Sequence, residues 1–138
     1  MADLEKAGLL TMDGDRILLC RKDHATSKLI LPGGRIEPGE TPVECLTREI
    51  AEELSGVGVK DLVRIGEYED RAHFDDPTIE KRLRIQLYQG KLVGEPAPSN
   101  EIVELVWFGP ASKRSELTPI FTNRILPDLV ARRIVKWQ

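Results

Sequence analysis

The chain has 138 residues, 41% of them hydrophobic, which suits one compact domain with a single core spanning residues 1–138. Its 20 basic and 23 acidic residues leave a net charge of −3, which excludes the broad basic face that sequence-independent nucleic-acid binding requires. No apolar run approaches the length of a membrane span, and the opening "MADLEKAG" is acidic where a secretory signal would be apolar. The expectation is therefore a cytoplasmic protein with neither a membrane partner nor a stable nucleic-acid complex.

In chain order, "AGLLTM" and "RILLCRK" flank "DGD", a strong turn signal, and predict a hairpin pairing residues 6–12 with 16–21. A polar loop, "DHATSK", leads to "LILP", read as a short buried strand ending at Pro32, and then to the turn "GGRIEPGE". The next helix is well marked. Thr41, Pro42, Val43 and Glu44 make a capping box with proline in the first turn, and Val43, Leu46, Ile50 and Leu54 recur at helical spacing as a buried stripe. Ser55, Gly56 and Gly58 stop it.

Residues 61–74 and 81–94 alternate well enough to be strands, with "DDPT" between them, so a long antiparallel pair is predicted. "EPAPSNE" is a proline-broken loop, "IVELVWF" another strand, and "GPASKRSELT" a connection. The last segment carries a helical stripe through Ile125, Leu126, Leu129, Val130 and Ile134, with Pro127 starting or kinking the helix. Strands, helix, strands, helix predict an α/β (α+β) fold in which a mixed sheet lies between helices. Cys20 and Cys45 each sit inside an apolar pattern and read as buried free thiols. The absence of CxxC or Cys/His spacing argues against structural zinc.

The glutamates of "REIAEE" are the chemical anomaly. Glu49, Glu52 and Glu53 share one face of the predicted helix, read as solvent-facing beside the buried stripe. Carboxylates about 6 Å apart repel by roughly 2–3 kcal/mol at an effective dielectric near 20. The pair Glu44–Arg48 returns only about 0.3–0.5 kcal/mol. A divalent cation would resolve the repulsion, and hard oxygen donors suit magnesium or manganese, which keep positions open for water and substrate phosphate. Gly33 and Gly34 let the backbone approach a ligand closely, and Gly39 permits a sharp turn into the helix cap.

Gly34, five residues, Glu40, seven residues, then Arg48-Glu49-Ile50-Ala51-Glu52-Glu53, all after "LPGG", resembles the signature of the Nudix hydrolases. One departure follows: the family pattern continues Glu-Glu, any residue, Gly, aliphatic, whereas here Leu54 and Ser55 delay the glycine to Gly56 before Val57. The resemblance implies the family's α/β/α sandwich and cleavage of a diphosphate link in a nucleoside diphosphate derivative, with Mg²⁺, or Mn²⁺ in its place. It implies that Glu49, Glu52, Glu53 and the carbonyl of Gly33 hold metal, that Arg48 orients a neighbouring glutamate and that Glu40 supports the site from behind. It leaves the general base open between a box glutamate, Glu101 and Glu104, with Glu101 favoured because a loop residue can close over substrate.

For the substrate, a small nucleotide, the candidates are Arg21 and Lys22 toward phosphate, Gly34 by close backbone approach, and His73, Phe74 or Trp107 for base stacking. Asn123 offers both a donor and an acceptor to a base edge. Arg82 and Arg84 share a strand face and read as solvated. Members of the family often dimerise, so a homodimer is possible. The alternative is a catalytically silent domain that binds a nucleotide as a sensor. Such domains typically lack a box glutamate, and all are present here.

Overall fold

Apolar residues alternate along the strands, and the two sets they form face two different cores. In the computed structural model, which describes residues 2–137, β1 (Leu4–Leu10), β4 (Gly33–Arg35), β5 (Gly58–Arg71) and β6 (Arg82–Val93) form one sheet, and β2 (Met12–Asp13), β3 (Arg16–Lys22) and β7 (Ile102–Phe108) a second. The first sheet has the order β4-β1-β6-β5 and is mixed: β1 runs parallel to β6, while β4 and β5 are antiparallel to their neighbours. The second, β2-β3-β7, is antiparallel. Leu10, Ile17, Leu19, Leu87 and Phe108 pack with Ile120, Phe121, Ile125 and Leu129 of the C-terminal segment. Their neighbours Leu9, Leu18 and Cys20 pack on the other side against Cys45, Leu46, Ile50 and Leu54. Period-two alternation thus supplies both cores, and each fully buried aliphatic contributes about 1.5–3 kcal/mol.

Helix α1 (Pro42–Glu53) carries the predicted capping box. Thr41 Oγ1 accepts from the Glu44 amide at 3.1 Å, and Glu44 Oε1 accepts from the Thr41 amide at 2.9 Å. Glu44 is therefore occupied by the cap, and Arg48 bonds Glu40 and Glu49 instead of forming the predicted pair with Glu44. Val43 is 41% exposed, and Cys45 takes the place in the buried stripe expected of it. Ser55 and Gly56 leave the helix in the left-handed region, at φ 65° and 79°.

Two strand predictions need correction. The 6–12/16–21 hairpin does not form along its length. β1 pairs with β6 from Leu4↔Leu83 to Leu10↔Gln89, and the chain changes sheet at Thr11, so only Met12 and Asp13 fold back on Ile17 and Arg16. All seven residues of β1 are paired with β6 instead. "LILP" is likewise not a strand: Ile30 bridges Cys20, Leu29 bridges Leu117, and the ladder resumes at Gly33–Arg35, where a turn was expected. The C-terminal segment is wound as a π-helical turn over Phe121–Ile125 and as α2 over Leu126–Ala131, with Pro127 in the first turn of α2. Cys20 and Cys45 are buried free thiols. Among the described residues no helix is long and apolar enough to cross a membrane.

Candidate active site

The site is built where the C-terminal end of α1 meets β4. Glu53 is 4% exposed, so the wheel position expected to face solvent turns inward, and its Oε1 accepts from the Gly33 amide at 2.9 Å. Burial pushes its carboxyl up to about 8, and the charges of Glu49 and Glu101 add to the rise; the Gly33 amide and Lys22 oppose it. Glu49 is also raised, chiefly by burial, although its Oε1 accepts from Arg48 Nη1 at 2.7 Å.

Arg48 is the hub beside them. Its Nε and Nη2 hold both oxygens of Glu40, at 2.8 and 2.9 Å, and Nη2 also reaches the Arg35 carbonyl at 3.2 Å. This fork geometry holds the Glu40 carboxyl down at about 2 and raises Arg48 in return. Glu52 stands outermost, its side chain 54% exposed and 3.9 Å from Arg48.

Both glycines make close approaches. A Cβ on Gly33, which sits at φ +141°, would strike the Ala7 carbonyl, and one on Gly34 would displace the Glu49 carboxylate. The strand edge and the acidic helix thus touch through Gly34, and at Gly33 the neighbouring backbone leaves room for hydrogen alone.

Beside this edge opens a cleft. Gly33, Gly34, Lys6 and Lys22 line it together with Ile120, Phe121 and Ile125. Phe74 and His73 form a wall. The loop carrying them is tied to the loop after β3: Thr26 Oγ1 bonds His73 Nδ1 at 2.5 Å, and the Asp75 amide donates to the Ala25 carbonyl at 2.8 Å.

A model of the NUDIX domain matches residues 5–129. The chain belongs to the Nudix hydrolase family. A stretch of 50 residues is 38% identical to the 8-oxo-dGTP diphosphatase of Escherichia coli (strain K12); it makes up 34% of this chain and 39% of that relative. The fold agrees with solved structures. The MutT protein from Methanosarcina mazei Go1 superposes with a TM-score of 0.72 at 20% identity, covering 94% of this chain and 95% of its own. The MutT Nudix hydrolase from Burkholderia pseudomallei gives 0.70 at 24%, covering 88% and 93%.

On the Nudix scaffold, Gly33, Gly34, Glu40, Arg48, Glu49, Glu52 and Glu53 come together at one edge. Glu101 stands near them: its charge acts on both Glu49 and Glu53, and it lies 3.9 Å from Lys22 and 3.6 Å from His24. Glu104 points elsewhere, bonded to Arg21 at 2.7 Å. Arg21 is in turn fixed by Glu104, Glu116 and the Ser27 carbonyl, outside the residues that line the cleft. Asn123 is exposed and donates to Asp70 at 3.2 Å. Trp107 packs against the α1-side core, away from the cleft. Arg84, expected to be solvated, is enclosed by Glu5, Glu67 and Glu69.

Sequence reasoning missed Lys6. Its signal is a charged residue in phase with Leu4, Gly8 and Leu10 on the core-facing side of β1.

For a metal, the donors are hard carboxylate oxygens, and among the described residues the buried Glu53 carboxyl forms no ion pair. That chemistry fits Mg²⁺ or Mn²⁺. Among the described residues no three such groups yet converge on one point, because Glu49 is drawn to Arg48 and Glu53 to the Gly33 amide.

Proposed function

We propose that this chain is a metal-dependent diphosphatase acting on a nucleoside diphosphate derivative. The observation that carries this reading is Glu53: a buried carboxyl that forms no ion pair among the described residues and accepts from the amide of Gly33, a residue that lines a largely apolar cleft. Glu49, Glu52, Glu53 and the Gly33 carbonyl would hold Mg²⁺, with Mn²⁺ as a substitute. A cation bound there supplies charge neutralisation for the diphosphate oxygens and acidifies water.

The protein's own groups do the rest. Arg48, clamped by Glu40, holds the Glu49 carboxylate in place. The apolar lining of the cleft takes the base and excludes water from it, with Phe74 as a stacking surface. Glu101, steadied by Lys22 and His24, is the candidate acceptor for the proton of the attacking water. The same reading takes the partner to be a small nucleotide and the compartment to be the cytoplasm.

The test is a panel of nucleoside triphosphates (8-oxo-dGTP included), ADP-ribose, nucleotide sugars and dinucleoside polyphosphates, assayed with Mg²⁺, Mn²⁺ or EDTA and with Glu53→Gln as control. Turnover abolished both by EDTA and by the substitution supports the reading. Metal-dependent binding without turnover of any member would make the chain a nucleotide sensor instead.

A further inference from the structure

Lys6 interrupts an apolar face. Its in-phase neighbours on β1 are Leu4, Gly8 and Leu10, yet at this position the strand presents an ammonium to the cleft, on the wall shared with Lys22 and Gly33. Among the described residues Lys6 takes part in no ion pair and no side-chain hydrogen bond, whereas Lys22 reaches Glu101 only at 3.9 Å. Lys22 and Arg35 repel it, Glu53 and Glu101 attract it, and burial outweighs them all, so the ammonium is held below the usual lysine range. A half-buried cation that forms no ion pair costs folding free energy that a methionine or leucine there would not. Two lysines on one cleft compound the cost.

We propose that Lys6, together with Lys22, binds the phosphate nearest the nucleoside of the substrate, which makes Lys6 an affinity-determining residue of this chain. The lining of the cleft combines both kinds of group: Ile120, Phe121 and Ile125 suit a base, and Lys6 and Lys22 suit a phosphate. A nucleoside seated among the apolar groups brings its first phosphate to the ammonium groups of the same cleft, and Gly33, bonded to Glu53, joins that lining to the carboxylates of α1. This inference rests on the reading of the ligand as a nucleoside diphosphate derivative.

Calorimetric titration in EDTA separates the lysines from any metal. The probes are AMP, GMP and their nucleosides, against wild type, Lys6→Met and Lys6→Arg, with thermal melts to verify folding. The expected result is that Lys6→Met weakens nucleoside monophosphate binding about 10- to 100-fold, leaves nucleoside binding unchanged and does not lower Tm, while Lys6→Arg keeps most of the affinity. In turnover, KM rises with little change in kcat. Unchanged monophosphate affinity in Lys6→Met overturns the proposal, as does an equal loss for the nucleoside, which would make Lys6 a base contact. A fall in Tm for Lys6→Met that Lys6→Arg restores, with affinities unchanged, would make Lys6 structural and also overturn it. If wild type binds neither nucleotide nor nucleoside, the nucleotide reading itself fails, and a wild type that binds them with Lys6→Met unaffected fails this inference alone.

Discussion

Glu40 and Glu53 belong to the same short motif, yet their surroundings drive them in opposite directions. Glu40 meets both nitrogens of the Arg48 fork and the Glu37 amide, and its carboxyl is held near 2. Glu53 meets one backbone amide in a buried position, and its carboxyl rises to about 8. The first charge is complete within the protein; the second waits for something. The difference teaches that carboxylates at motif spacing are not equivalent donors: one set is consumed in orienting its neighbours, and the other is left able to receive a cation.

The largest expected break in this comparison is Glu53→Gln. Removing the uncompensated carboxylate should lower metal-dependent turnover about 10³-fold, since a bound cation supplies several kcal/mol of charge stabilisation; steady-state kinetics against the best substrate of the panel checks this. Next is Glu101→Gln set beside Glu104→Gln. The former should lose about 10²-fold in kcat and the latter, tied to Arg21 outside the cleft, less than about twofold; equal losses would displace Glu101 from its role.

Glu40→Gln comes third, acting through Arg48 and Glu49, with an expected loss of about 10- to 100-fold in metal affinity or activity, read as a shift in the Mg²⁺ dependence. The pH dependence of stability sharpens the same contrast. Glu53's folded-state value lies above its unfolded one, near 4.5, so the folded state binds the extra proton between these values. Metal-free protein should therefore lose stability, by about 4 kcal/mol, as pH rises from 4.5 to 8, and Glu53→Gln should flatten that slope. Glu40 has the opposite sign: its contribution is present above 4.5 and is lost as pH falls toward 2. Urea unfolding in EDTA across pH 4–9 measures the first effect and acid unfolding of Glu40→Gln the second.

What was legible in the sequence is what local rules decide. The cap of α1, its ending at Ser55–Gly56 and strand β7 rest on residues within a few positions of one another. That the motif's residues lie together follows from their closeness in the chain, on β4, on α1 and in the turn between them. The β1–β6 ladder was not, because its partner lies far along the chain and the nearby "DGD" turn offered a competing hairpin. Glycines that read as a turn were a strand, β4, because Gly34 and Gly33 pair with Ala7 and Gly8 of β1, a partner distant in the chain. Asn123 and Arg21 carried plausible chemistry, but tertiary contacts to Asp70, Glu104 and Glu116 claim their polar groups. The inward turn of Glu53 was hidden because a helical wheel does not show that β4 offers an amide to receive it.

The most direct measurement is the number of protons released when Mn²⁺ binds, obtained by calorimetry at pH 7 in buffers of different ionisation enthalpy. A carboxyl held near 8 must lose its proton to become a ligand, so wild type should release about one proton per bound site, and Glu53→Gln should bind far more weakly with no such release. Binding without proton release, at an affinity that Glu53→Gln shares, would contradict the claim that Glu53 is the charge awaiting a metal.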